Sequence, residues 1–229
     1  MKTIGLIGGM SWESTVTYYQ IINEQIKEQL GGLHSAQILL YSVDFAEIEA
    51  CQSQGNWDKS AMILGTAAQN LEKAGADFIV ICTNTMHKVV PQMQKMLTIP
   101  ILHIADATAE ELRCHHIATV GLLGTKYTMT QAFYKDRLTE KGIGVIIPDA
   151  EDIETVNRVI YDELCLGKIS NASRAEYQKI IEKMKDKGAE GVILGCTEIG
   201  LLIKQQDSTL PVFDTTLIHG QAAAKRALS

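Results

Sequence analysis

The 229-residue sequence lacks several features that define common classes of protein. No run of about 18 apolar residues occurs, so we expect no membrane-spanning helix. The formal net charge is −6, whereas nucleic-acid binders carry a basic face that neutralises phosphates. The N-terminus has no charged segment followed by an apolar core, as a secretory signal would. We therefore expect a cytoplasmic protein that binds neither membranes nor nucleic acids.

Cysteine is sparse and scattered. The five cysteines stand at positions 51, 82, 114, 165 and 196, and none forms a Cys-x-x-Cys pair. This spacing predicts reduced thiols, without a metal site or a disulfide framework. Most free cysteines are small buried residues, so each needs local support before chemistry is assigned to it.

Short apolar runs bounded by glycine alternate with segments of helical periodicity, such as 17–30 and 173–185. The alternation predicts an α/β fold with parallel strands. Three segments of the first half also return in the second half in the same order. The pairs are Thr3-Ile4-Gly5-Leu6-Ile7-Gly8 with Thr119-Val120-Gly121-Leu122-Leu123-Gly124, Gly75-Ala76-Asp77 with Gly188-Ala189-Glu190, and Thr98-Ile99-Pro100-Ile101 with Thr209-Leu210-Pro211-Val212. Chance likeness among Val- and Ile-rich strands is the alternative.

The repeat predicts two pseudo-symmetric lobes, each a mainly parallel sheet flanked by helices. We assign residues 1–100 plus about 210–229 to the N-terminal lobe and residues 101–209 to the C-terminal lobe. Ligands of open parallel sheets bind beyond the carboxyl ends of the strands. We therefore expect one active site in a cleft between the lobes.

One cysteine stands where a nucleophile or base would stand. Cys196 follows the apolar strand 191–194 and a glycine that permits a tight turn. Pairing Gly75 with Gly188 makes Thr83 its first-half counterpart and leaves Cys82 one position away. Neighbouring residues at a strand end point to opposite faces, so Cys82 is predicted to face the core if Thr83 faces the cleft.

Four segments carry a resemblance to a known family. They are Gly8-Gly9-Met10-Ser11, Thr83-Asn84-Thr85-Met86-His87, Gly195-Cys196-Thr197-Glu198-Ile199, and Phe213-Asp214-Thr215-Thr216 with His219. In these segments, and along nearly its whole length, the sequence resembles the cofactor-independent aspartate/glutamate racemases. Their superfamily also holds hydantoin racemase, maleate isomerase and arylmalonate decarboxylase.

The resemblance implies an isomerase, most often a homodimer, that needs no cofactor. A thiolate removes the Cα proton from one face of the amino acid, and a thiol on the other face returns one. The residues that match the family's substrate contacts are Gln52, Asn84, Thr85 and Thr197. Met10 is predicted to line the pocket with the backbone N–H groups of its glycine-rich loop, against a substrate carboxylate. For Gln52 a solvated loop glutamine is an equal alternative. We further expect the strand-to-helix loop to lower the pKa of the Cys196 thiol toward neutrality.

The sequence departs from the family at the first base, which is usually cysteine and here is Thr83. A hydroxyl is too weak an acid to form a useful alkoxide at neutral pH, although it can donate or relay a proton. We therefore predict Cys196 as the principal base, with Thr83 on the opposite face. The basic residue that binds the side-chain carboxylate in some members is displaced here to Lys168. A single-cysteine decarboxylase, a maleate-type isomerase, a broad-specificity amino-acid racemase and a binding protein without turnover remain the alternatives.

Overall fold

The computed structural model describes residues 1–229. The chain divides into two compact units, which we call unit 1 (Met1–Ile104 and Thr216–Ser229) and unit 2 (Ala105–Thr215). The predicted division near residue 210 falls earlier than the observed one after Thr215. The reason is that Val212–Asp214 forms a strand that pairs within the second sheet.

Each unit contains a four-stranded parallel sheet with the same strand order. The strands are β1 (Ile4–Gly8), β2 (Ile38–Ser42), β3 (Phe78–Ile81), β4 (Ile101–Leu102), β5 (Thr119–Gly124), β6 (Gly144–Ile146), β7 (Gly191–Gly195) and β8 (Val212–Asp214). The order is β2-β1-β3-β4 in unit 1 and β6-β5-β7-β8 in unit 2, and every pairing is parallel. The predicted α/β class with two repeated, mainly parallel sheets is confirmed.

Helices connect the strands in both units. They are α1 (Trp12–Leu30), α2 (Phe45–Ser53), α3 (Trp57–Lys73), α4 (Val90–Gln94), α5 (Ile104–Cys114), α6 (Lys126–Thr130), α7 (Ala132–Glu140), α8 (Ala150–Asp162), α9 (Asn171–Asp186), α10 (Ile199–Leu202) and α11 (Thr215–Leu228). Short 3₁₀ helices lie at Thr85–Val89, Leu164–Leu166 and Gln205–Asp207. The predicted helices at 17–30 and 173–185 are both present within longer ones. None of these helices combines the length and the hydropathy that crossing a membrane requires.

An acidic side chain links the two inner strands of each sheet, β1 with β3 in unit 1 and β5 with β7 in unit 2. In unit 1 the Asp77 carboxylate accepts a hydrogen bond from the backbone N–H of Thr3 at 2.6 Å. In unit 2 the Glu190 carboxylate accepts from the N–H groups of Ala118 at 2.6 Å and Thr119 at 3.1 Å. These bonds lower the pKa of the Glu190 carboxyl. The carboxylate contacts occur at equivalent places in the two sheets.

The turns that precede the two central strands also correspond. Gly75 and Gly188 both adopt φ of +100°, which glycine tolerates best. Each stands two positions before the acidic residue of its unit. Counted from these glycines, Thr83 and Cys196 fall at the same position after their strands. The strand register agrees, because Ile7 pairs with Ile81 in unit 1 and Leu123 with Leu194 in unit 2, so that Thr83 and Cys196, each two positions further on, occupy corresponding places.

Gly9 is expected to be far less tolerant of alanine than Gly75. Gly9 has φ of +91°, and an added Cβ would lie 2.2 Å from the carbonyl oxygen of Val43. At Gly75 an added Cβ meets nothing within 4 Å. Gly75→Ala should lower the free energy of unfolding by about 1–2 kcal/mol through backbone strain, and Gly9→Ala by roughly 1–3 kcal/mol more because the backbone must move. Urea unfolding of both variants measures the difference, and equal losses would contradict it.

Candidate active site

The polar residues predicted for catalysis stand at the carboxyl ends of the two central strands. In unit 2, Cys196 directly follows β7, in which every residue is buried. An added Cβ on Gly195 would lie 2.8 Å from the carbonyl oxygen of Leu123. Glycine is therefore needed for the close approach of β7 to β5, and Cys196 is the first half-exposed residue beyond the strand.

The Cys196 thiol contacts a carboxylate. Its Sγ donates a hydrogen bond to Oε2 of Glu198 at 3.0 Å, and the hydroxyl of Thr197 donates to the same oxygen at 2.6 Å. Helix α10 begins after Glu198, whose side chain makes no capping hydrogen bond to it. The Glu198 carboxylate therefore holds the thiol and the hydroxyl of Thr197 and does not cap α10.

The pKa of Cys196 is shifted in the direction opposite to the one expected from the sequence. Burial of the sulfur and the nearby Glu198 carboxylate raise this pKa well above its usual value, although the Glu198 backbone N–H opposes the shift. The expectation assumed a helix long enough to favour a thiolate at its N-terminus, whereas α10 has only four residues. At neutral pH the resting group is therefore a protonated thiol.

In unit 1 the neighbouring residues Cys82 and Thr83 occupy different environments. Cys82 has no exposed surface and packs in a core cluster with Tyr18 and Ile22 of α1. Burial raises the pKa of its thiol far beyond the usual range. Thr83 is half-buried at the strand end. The predicted core position of Cys82 is confirmed, and this thiol is unsuited to proton transfer.

The loop after β3 is held by a buried imidazole. Asn84 and Thr85 are buried, and Thr85 begins the 3₁₀ helix Thr85–Val89. Nδ1 of His87 lies 2.9 Å from the carbonyl oxygen of Thr83. A carbonyl only accepts, so Nδ1 carries the proton and donates it. The backbone that carries Thr83 is thus fixed by a side chain four residues further on.

Met10 and Gln52, two predicted substrate contacts, are both more buried than their sequence context indicates. Met10 belongs to the apolar core cluster that packs α3 against the sheet of unit 1. Gln52 lies inside α2 and is buried. The alternative of a solvated loop glutamine is therefore wrong. Lys168 is exposed after the 3₁₀ helix Leu164–Leu166, with its backbone N–H bonded to Glu163.

Three buried histidines cluster behind the Thr83 loop. The ring centroid of His87 lies 4.6 Å from that of His103 and 5.5 Å from that of His219. Nε2 of His219 donates to the carbonyl of Leu102 at 2.9 Å, so its Nδ1 accepts from the hydroxyl of Tyr18 at 2.9 Å. Sequence reasoning picked out His87 and His219 by their motifs, but no local signal linked His103 to them.

Burial keeps these imidazoles neutral. It lowers the pKa of His219 to about 4 and that of His87 well below its usual value. A positive charge on His103 or His219 would lower the pKa of His87 further. No three His, Cys, Asp or Glu side chains are arranged to hold a metal ion.

The fold and the two strand-end loops define a class of protein. Its members have two repeated parallel sheets, with a polar side chain beyond the strand that corresponds to β3 in one sheet and to β7 in the other. A family model described as Asp/Glu/Hydantoin racemase matches residues 7–223. The chain belongs to this family of isomerases, as its resemblance in sequence predicted.

Individual relatives cover the chain from end to end. A candidate Asp/Glu racemase from Yersinia pestis has 58% identity and a TM-score of 0.95, with 100% of both chains covered. An aspartate racemase homologue from Pyrococcus horikoshii has 39% identity and a TM-score of 0.88, also with 100% of both chains covered. The broad-specificity amino-acid racemase RacX of Bacillus subtilis is 26% identical over 216 residues, 93% of this chain and 92% of that protein. The prediction of an amino-acid racemase is confirmed at the level of the family.

Replacing the Glu198 carboxylate by an amide should make Cys196 more reactive at neutral pH. Glu198→Gln removes a negative charge that destabilises the thiolate, so the pKa of Cys196 should fall. The rate of iodoacetamide labelling against pH, read on the Cys196 peptide by mass spectrometry, would then have its midpoint at lower pH. Thr197→Val is the control, because it retains the charge and should not lower the midpoint. An unchanged midpoint in Glu198→Gln would contradict the assigned cause.

The buried histidines should make the fold acid-sensitive above the range in which carboxylates titrate. Unfolded histidine binds a proton near pH 6.5, whereas folded His219 does so only near pH 4. Unfolding therefore takes up protons in this window, and stability falls as the pH falls through it. The expected slope is about 1.4 kcal/mol per pH unit for each such histidine. Urea unfolding between pH 7 and 5 should show a shallower slope in His87→Asn, and equal slopes would count against the assignment.

Proposed function

We propose that this chain interconverts the enantiomers of aspartate, glutamate or both, without a cofactor. Cys196 is the principal base on one face of Cα, and Thr83 serves the opposite face. The observation that carries the proposal is the position of Cys196, a half-buried thiol beyond β7 in contact with Glu198. Thr83 stands at the equivalent position of the repeat. That both groups act on one carbon, in the cleft expected from the sequence, stays a prediction.

Proton removal begins with transfer of the thiol proton to Glu198. A raised thiol pKa means that a base must take this proton before Cys196 can act. Oε2 of Glu198 already accepts the hydrogen bond from Sγ. The thiolate that results then takes the Cα proton, so that the S–H bond is formed again, and Glu198 releases the first proton to solvent before the next turnover. Thr197 keeps the Glu198 carboxylate in place through its hydroxyl.

The opposite face needs a donor, and the sequence provides a hydroxyl there. Thr83 delivers a solvent proton to the carbanion, either from its own hydroxyl or from a water that it orients. The carbanion beside a carboxylate also requires preorganised donors. Asn84 and Thr85 in unit 1 and Thr197 in unit 2 are the proposed donors to the substrate carboxylate, and Met10 and Gln52 are proposed to shape the site.

The unequal bases have a kinetic consequence. The equilibrium constant between enantiomers is one, so kcat/KM must be equal in the two directions. The difference between thiol and hydroxyl must therefore appear in kcat and KM separately, and turnover at saturating substrate should be faster from one enantiomer.

The substrate range has two candidates. The names of the aspartate racemase homologue and of the family favour an acidic amino acid. RacX, described as having broad specificity, favours a wider range. Lys168 is exposed, and a neutral amino acid would suit the site if no cation reaches the side-chain end. Rates with aspartate, glutamate, alanine and homoserine separate the two.

The single available thiol keeps a second reaction class under consideration. Cys82 is buried in the core, and of the two strand-end positions one carries a thiol, Cys196, and the other a hydroxyl, Thr83. A decarboxylase or a maleate-type isomerase that uses one cysteine would have such a site. These enzymes would not exchange the Cα proton of an amino acid. A binding protein would be stabilised by its ligand without exchanging the proton.

Exchange of the Cα proton in deuterated water tests the proposal. Each enantiomer of aspartate and glutamate is incubated with the protein and followed by proton NMR and chiral chromatography. We expect exchange and inversion, a loss of about 10³-fold or more in Cys196→Ala, and more equal kcat values for the two directions in Thr83→Cys.

Cys82→Ala is the matched control, because it removes a thiol of the core one position away from Thr83. It should lower stability and leave exchange in place. A fully active Cys196→Ala enzyme would eliminate the proposed base, and absence of exchange with every amino acid tried would defeat the racemase assignment.

We also propose, from the family resemblance, that the protein is a homodimer in the cytoplasm. All five cysteines are free thiols, the form that a reducing compartment maintains. Sedimentation equilibrium would identify the assembly, with a mass of twice 25.2 kDa for the dimer.

A further inference from the structure

In unit 1, the backbone of Thr83 is bonded to the side chain of His87, and unit 2 has no corresponding side chain near Cys196. His87 stands four positions after Thr83, and the position four after Cys196 is Gly200. An added Cβ on Gly200 would lie 2.6 Å from Oδ2 of Asp214, so a side chain there would have to displace that carboxylate. In unit 2 the reactive group itself contacts the carboxylate of Glu198. In unit 1 the support is a buried imidazole bonded to the backbone of Thr83.

We propose that His87 is a positioning residue that holds Thr83 in the orientation needed to protonate the far face of the substrate. This inference rests on the proposed racemase function and assigns a role that the reaction scheme does not itself require. His87 does not reach the substrate in this scheme. It acts through the carbonyl of Thr83.

The hydrogen bonds around Thr83 show why its orientation depends on His87. The N–H of Thr83 bonds to the carbonyl of Ile81 at 2.9 Å, which bends the chain sharply as it leaves β3. Its carbonyl bonds to His87 Nδ1, and the N–H of His87 returns to the carbonyl of Asn84 at 3.1 Å. The peptide groups on both sides of the Thr83 Cα are thereby fixed, and with them the direction of its Cα–Cβ bond.

The imidazole is itself held by its surroundings. His87 packs edge-on against His103 and His219, and His219 is anchored by Tyr18 and by the carbonyl of Leu102. Nε2 of His87 is buried and has no hydrogen-bond partner. The hydrogen bond that the neutral ring makes is the one from Nδ1 to Thr83, and the backbone of Leu102 also lies near enough to raise the pKa of His87. Leucine at this position would remove the donor to the Thr83 carbonyl, and the imidazole provides that donor although its own Nε2 is a buried acceptor without a partner.

The role predicts a specific defect. Removal of a Cα proton by Cys196 and its return to the same face do not need Thr83, whereas inversion does. Loss of the His87 bond should therefore reduce inversion more than it reduces exchange with retention. A misplacement of about 1 Å can lower a rate by about 10²-fold, so we expect the ratio of inversion to exchange to fall by about 10- to 100-fold.

Two amide variants and one apolar variant test this in deuterated water. In each, deuterium is measured in the recovered enantiomer and in the inverted one. The amide nitrogen of His87→Asn can occupy the place of Nδ1 and should restore most of the ratio. The longer side chain of His87→Gln carries its amide nearer the place of Nε2, and we expect a ratio as low as in His87→Leu.

A destabilised variant outside the loop provides the control. Tyr134 in unit 2 is fully buried and donates to Thr108 at 3.2 Å. Tyr134→Phe removes one buried hydrogen bond and should leave the ratio unchanged. If His87→Leu does not fold, the comparison of Asn with Gln decides, since both introduce an amide.

The outcomes separate the two levels of the proposal. Equal ratios in His87→Asn, His87→Gln and the unaltered protein would overturn the positioning role and leave the racemase function standing. A ratio that fell as far in Tyr134→Phe as in His87→Leu would also overturn it. Absence of any exchange in the unaltered protein would overturn the racemase function and this inference with it.

Discussion

The register between the first and central strands of each sheet determines which residues face the chemistry. Side chains alternate along a strand, so a slip of one residue would exchange the two faces. In unit 1 such a slip would move Cys82 out of the core and turn Thr83 into it. Asp77 and Glu190 oppose the slip by binding backbone N–H groups at the start of the neighbouring strand. Two exposed carboxylates, far from the carboxyl ends of the strands, thus help to define the proposed catalytic pair.

The repeated framework supports two different chemical environments. Beyond β7 the proposed reactive group is a thiol that donates a hydrogen bond to a carboxylate. Beyond β3 it is a hydroxyl whose backbone is bonded to a neutral imidazole. A thiol needs a nearby base because its pKa is raised, whereas a hydroxyl cannot lose its proton usefully and needs accurate orientation instead. The supporting residues therefore differ as the reactive groups differ.

Much of the fold could be predicted from the sequence because buried parallel strands are continuous apolar runs. The repeat predicted that Thr83 and Cys196 occupy corresponding places in the two sheets, and strand alternation predicted that Cys82 lies in the core. The direction of the Cys196 pKa could not be predicted, since it depends on the side-chain position of Glu198 and on the shortness of α10. The histidine cluster was also inaccessible, because His87, His103 and His219 come from three separate segments and meet only in the folded chain.

The contact between Cys196 and Glu198 also bears on the chemical durability of the protein. Peroxides oxidise thiolates, not protonated thiols, and a cysteine that is ionised at rest is steadily converted to sulfenic acid and beyond. Burial and a carboxylate keep Cys196 protonated, so in the proposed reaction the sulfur becomes nucleophilic only while its proton rests on Glu198. The contact that would provide the base in that reaction therefore also protects the sulfur from oxygen-derived oxidants at rest.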